Sequence, residues 1–84
     1  MIKVKYFARL GEALKFKEED IKFDSNCATV ADLLCLLKAR GEPWASEFST
    51  QNRVLMALNH EMCDASGLLK PGDEIGFFPP VTGG

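Results

Sequence analysis

The sequence predicts an α+β roll, with one main helix packed on one face of a mixed β-sheet. Three observations predict it. Apolar residues alternate through the first ten positions; one apolar stripe at i, i+3, i+4 and i+7 follows Thr29; and a Lys70-Pro71-Gly72-Asp73 turn leads into a closing apolar segment. The expected order is strand, strand, helix, strand, short strand, strand. There is no repeat, linker or low-complexity segment, and 84 residues hold one domain.

In residues 2–10, Ile2, Val4, Tyr6, Ala8 and Leu10 share one face, and Lys3, Lys5, Phe7 and Arg9 share the other. This predicts a strand with one buried face, and it leaves Phe7 as a large ring among cations on the wet side. Gly11 to Lys17 reads as a loop or irregular turn. Ile21 and Phe23 alternate with Lys22 and Asp24, predicting a second strand over 18–24 that pairs with the first as an antiparallel hairpin. Thr29 and Asp32 form an N-cap signature, and the stripe Val30, Leu33, Leu34 and Leu37 follows. Lys38 and Arg40 suit the last turn, Gly41 supplies the stop, and Cys35 reads as a small packing residue beside the stripe.

Pro43 to Phe48 reads as a short helical turn opened by proline. Its Trp44 and Phe48, at i and i+4, cap one end of the core, a reading preferred over a ligand-stacking Trp44. Val54 to Leu58 is a compact strand ended by Asn59-His60-Glu61, and Met62 and Cys63 begin a short return strand. Glu74 to Phe78 is the final strand, with Ile75 and Phe77 on one face and Gly76 and Phe78 on the other.

Composition excludes several function classes. The net charge is -2 with no Lys/Arg cluster, so the chain has no electrostatic footprint for nucleic acid. No apolar run approaches a membrane span, and alternation begins at Met1-Ile2-Lys3 without a signal-peptide core, so a cytoplasmic protein is expected. Cys27, Cys35 and Cys63 are odd in number and contain no CxxC; reduced, partly buried thiols are expected. With the lone His60 they are too scattered for a zinc site. No nucleophile, base and orienting group stand at a telling spacing, and no phosphate loop is present.

Two surface features remain. Phe77-Phe78-Pro79-Pro80-Val81-Thr82-Gly83-Gly84 closes the sequence. Its prolines favour an extended arm, and its two glycines make the end as thin as a polypeptide can be. The result is a carboxylate on a narrow stalk, suited to threading into another protein's active site. The other feature is Phe7 and Phe78, which form an apolar contact patch beside the tail if the first and last strands are neighbours.

The start, Met1-Ile2-Lys3-Val4-Lys5-Tyr6-Phe7-Ala8, and the end, Leu69 to Gly84, closely resemble the MoaD family, the small sulfur-carrier subunits of molybdopterin synthase. The resemblance covers the whole chain and is tightest over the final strand and tail. It implies a ubiquitin-like β-grasp fold over 1–78 with an extended Gly-Gly tail over 79–84, and parallel pairing of the first and last strands. It further implies that an E1-like, MoeB-like enzyme uses ATP and Mg²⁺ to adenylate Gly84, that sulfur replaces AMP to give a thiocarboxylate, and that this chain itself binds no cofactor. The loaded tail, with Gly83 beside the reacting residue and Pro79, Pro80, Val81 and Thr82 as the inserted arm, enters a MoaE-like large subunit. That subunit holds the active site, where sulfur passes to cyclic pyranopterin monophosphate to build the dithiolene. By position, Phe7, Met62 and Phe78 face the large subunit, in a heterotetramer of two small and two large subunits. A thiamine-type sulfur carrier and a ubiquitin-like protein modifier are the alternatives; the Phe-Phe-Pro-Pro-Val-Thr segment favours the synthase subunit.

Overall fold

A computed structural model of the chain describes residues 1–23, 28–49 and 54–79. Its strands are β1 (Ile2–Tyr6), β2 (Glu18–Ile21), β3 (Leu55–Leu58), β4 (Glu61–Cys63) and β5 (Glu74–Phe78); its helices are α1 (Ala8–Leu14), α2 (Val30–Lys38) and α3 (Trp44–Glu47). The strands form one mixed sheet in the order β2-β1-β5-β3-β4. β1 pairs antiparallel with β2, Val4 opposite Glu19, and parallel with β5, Val4 opposite Ile75. β3 pairs antiparallel with both β5 and β4. The first and last strands are therefore neighbours at the centre of the sheet, in the β-grasp arrangement.

One face of the sheet and the helices enclose the core. Alternation delivers Ile2, Val4 and Tyr6 from β1, and Ile75 and Phe77 from β5; α2 adds Val30, Leu33 and Leu37. Phe77 is fully buried, with Tyr6 stacked at 6.2 Å and Phe48 edge-on at 5.1 Å. Trp44 and Phe48 are both buried and stack at 6.3 Å, so α3 closes one end of the core. Arg40 lies over the Trp44 ring at 4.5 Å, covering it rather than leaving a ligand platform.

The α2 start is a capping box. Thr29 Oγ1 accepts from the Asp32 N–H at 3.2 Å, and Asp32 Oδ2 accepts from the Thr29 N–H at 3.1 Å. Past the helix, Gly41 takes φ +92°, where a side chain would be strained. Leu34 lies half-buried at the edge of the stripe.

Three local expectations are corrected. The segment 11–17 is not simply a loop. β1 stops at Tyr6 and the chain turns into α1, which buries Leu10 and Leu14 at i and i+4 with Gly11 between them. Gly11 is required by close packing: a Cβ there would stand 2.7 Å from the Tyr6 carbonyl oxygen. β2 ends at Ile21, short of the expected 24, and Phe23 packs on the core edge outside the ladder. Cys35 is exposed on α2 rather than packed beside the stripe, because Leu33 and Leu37 fill the inward arc. Cys63 is half-buried, and Cys27 lies outside the described residues.

Candidate docking face and C-terminal arm

The face of the sheet opposite the core carries the candidate site. Cross-strand partners share a face, so the register assembles it directly. Gly76 stands opposite both Lys5 and Ala57, Phe78 opposite Leu55, and Met62 opposite Ala57. Phe7 lies one residue beyond β1, yet its N–H still donates to the Phe77 carbonyl at 3.0 Å, which continues the parallel ladder. Its ring stacks on Phe78 with centroids 4.6 Å apart and planes 6° from parallel.

The sequence expectation for this pair holds in its essentials: the first and last strands are adjacent and the two rings meet. Phe7 remains 39% exposed and Met62 65%, while Phe78 and Pro79 are half-buried. Leu55, 38% exposed, sits beside Phe78 and extends the patch. Gly76 shares the Phe78 face as alternation along the final strand predicts, whereas Leu55 and Ala57 carry no such sequence signal. Parity along β3 and β5 puts Leu55 and Ala57 on one face, but only the register shows that this face is shared with Phe78.

The patch has a charged rim. Lys5 Nζ lies 3.6 Å from Glu74 Oε2, and His60 Nε2 lies 3.6 Å from the same oxygen. His60 belongs to the exposed Asn59-His60 turn, where both residues have positive φ. Pro79 leads off the end of β5 beside the aromatic pair. Pro80, Val81, Thr82, Gly83 and Gly84, the rest of the expected arm, lie outside the described residues.

A second cluster lies on the core side. Tyr6 Oη donates to Glu19 Oε2 at 2.7 Å, and Arg40 makes two 2.9 Å bonds to the Glu19 carboxylate. Burial alone would raise the Glu19 carboxyl, but the bonds from Arg40 and Tyr6 outweigh it and hold the group below its ordinary value. Burial, then the bond to Glu19, push the Tyr6 phenol well above its usual range. This partly exposed network ties β1 and β2 to the segment after α2.

An open groove of about 660 Å³ runs beside α1, lined by Tyr6, Phe7, Gly11, Phe16, Lys15 and Lys17 among others. It brings no nucleophile–base pair together. Among the described residues, no group of three or more His, Cys, Asp or Glu is placed to hold a metal ion. No helix among them is long and apolar enough to cross a membrane.

The ThiS family model matches residues 4–84. The chain belongs to the ThiS family. Within it, the chain resembles proteins of molybdopterin synthesis. It is 33% identical to the molybdopterin synthase sulfur carrier subunit of Haemophilus influenzae, over the full length of both chains. A solved structure assigned as subunit 1 of molybdopterin converting factor from Pyrococcus furiosus superposes with a TM-score of 0.78 at 35% identity, covering 95% of this chain and 97% of that one. A chain in the complex of subunits 1 and 2 of molybdopterin-converting factor from Helicobacter pylori has a TM-score of 0.67 at 26% identity, with 99% and 97% covered.

Proposed function

We propose that this chain is the sulfur-carrying small subunit of a molybdopterin synthase, and that its reacting group is the carboxylate of Gly84. The observation that carries the reading is a juxtaposition. A stacked pair, with Phe7 exposed and Phe78 half-buried, stands next to Pro79, from which the sequence runs on to Gly83-Gly84, in a chain similar along its whole length to a sulfur carrier subunit. The Helicobacter pylori likeness, to a chain from a complex of subunits 1 and 2, supports a large-subunit partner for that face.

The chemistry follows from the end group. A carboxylate is a poor electrophile because its oxygen is a poor leaving group. Attack of the Gly84 carboxylate on the α-phosphate of ATP, in an E1-like partner with Mg²⁺, forms an acyl-adenylate and releases pyrophosphate. A sulfur nucleophile then attacks the acyl carbon and AMP departs, leaving a thiocarboxylate. Its sulfur is nucleophilic yet covalently held, so it reaches the large subunit's active site without release of free sulfide. There the sulfur displaces an oxygen substituent from a carbon of a cyclic pyranopterin, water cleaves the resulting acyl–sulfur bond to return the Gly84 carboxylate, and two such transfers supply the dithiolene. Gly83 and Gly84 have no Cβ to obstruct a narrow channel. This chain supplies the carrier arm and the docking face; the site that binds the pterin belongs to the partner.

The test is the intact mass after incubation with an E1-like activating enzyme, ATP and a sulfur source. We expect one oxygen replaced by sulfur, and no such shift when Gly84 is deleted. No shift, with an enzyme shown to load a known carrier, would overturn the reading. Adducts on protein lysines instead of a free thiocarboxylate would identify a ubiquitin-like modifier.

A further inference from the structure

Gly76 occupies the middle of β5, a central strand hydrogen-bonded on both sides. Glycine there is unfavourable, because it has greater backbone freedom to lose and no side chain to pack. Its φ is not among the positive values, so no turn requires it. What requires it is overhead. A Cβ built on Gly76 would stand 2.7 Å from Phe7 Cε2 and 3.6 Å from Phe78 Cε1. Gly76 points to the outward face and is nevertheless buried, because those rings lie over it.

We infer that Gly76 is a positioning residue for partner docking: its missing side chain lets Phe7 lie down against Phe78, so that the two rings are presented as one preassembled anchor. The inference rests on the docking reading above and deepens it. An anchor already in its bound geometry loses little side-chain freedom on association, and rigid aromatic contacts dominate interface energetics. Three constraints converge on the pair. The Phe7 N–H is tied to the Phe77 carbonyl, the Phe7 carbonyl accepts from the Leu10 N–H at 3.2 Å, and Phe78 is fixed in the β5 ladder opposite Leu55. The backbone thus fixes where both rings start, and Gly76 leaves the space in which they meet.

The test is Gly76→Val, with Phe7→Ala, the double variant and Phe78→Asp alongside, each titrated against the large synthase subunit of the same organism. Valine favours a strand, so the melting temperature should hold or rise. The Phe7–Phe78 ring contacts seen by proton NMR should be lost, and affinity should fall about tenfold or more. In the Phe7→Ala background, Gly76→Val should cost nothing further, since the glycine acts through that ring. Unchanged ring contacts and affinity in Gly76→Val, with binding lost in Phe78→Asp, would overturn the inference and leave the docking reading standing. Additive losses in the double variant would also overturn it, by showing a structural effect independent of Phe7. Full affinity in Phe78→Asp would remove the docking reading and the inference together.

Discussion

Phe77 and Phe78 are adjacent in sequence and opposite in consequence. Phe77 is wholly enclosed by Tyr6, Phe48 and the inner face of the sheet, and Phe78 shares the outer face with Phe7 and Leu55. Phe77→Ala should cost about 3–5 kcal/mol in urea denaturation, because the cavity would open in the centre of the core. Phe78→Asp should leave the melting temperature nearly unchanged and abolish detectable binding to the large subunit; a collapse in stability would place Phe78 in the core. Glu19 sets a different dependence. Its folded-state value is depressed, so the stability it contributes is present above the ordinary carboxylate value of 4.5 and is lost as pH falls through the lower folded value. Replacing it with Gln should lower stability near neutrality and flatten the decline below that pH. Because the network is partly solvated, the change should be modest. An acid unfolding limb of unchanged steepness would show that Glu19 does not set it.

At the scale of elements, legibility followed the strength of local signals. α2 announced itself through the Thr29–Asp32 cap and a stripe of four apolar residues, and β5 through the turn before it and its own alternation. α1 did not. It has seven residues, its N-cap Phe7 makes no side-chain cap, and Gly11 sits in its interior, where glycine ordinarily argues against a helix. Tertiary contact overrides that propensity: Gly11 packs on the Tyr6 backbone, and Leu10 and Leu14 are buried. Ala8 and Leu10 also fall in phase with the β1 alternation, which extends the apparent strand past its true end at Tyr6. Gly11→Ala tests this account directly. The methyl would meet backbone rather than a movable side chain, so a loss of about 1–3 kcal/mol is expected despite alanine's better helix propensity. A gain in stability would show that the close approach does not constrain the position.

For the whole molecule, the two faces of one sheet divide the labour. The inner face holds a core enclosed by the helices; the outer face carries Phe7, Leu55, Met62 and Phe78 at the surface, next to Pro79. A chain this small buries only about 60–65% of its unfolded surface, so a partner that covers the outer face should stabilise it measurably. With the large subunit free at about a hundred times its Kd, linkage contributes about 2.7 kcal/mol, which calorimetry would register as a raised melting temperature. Phe78→Asp should lose that rise, and retention of it would point to docking elsewhere. By itself the sequence determined the α+β class, the main helix with its cap, the closing strand, and a proline-glycine tail whose thinness follows from residue chemistry alone. The tertiary structure bore out the parallel pairing of β1 and β5 that the family resemblance implied, and it alone decided that Leu55 joins Phe7 and Phe78, that Gly76 lies beneath the Phe7 ring, and that α1 is helical. The physical reason is range. Alternation, capping and turn chemistry act between residues a few positions apart, whereas strand order, register and the close approach over Gly76 join positions some seventy residues apart.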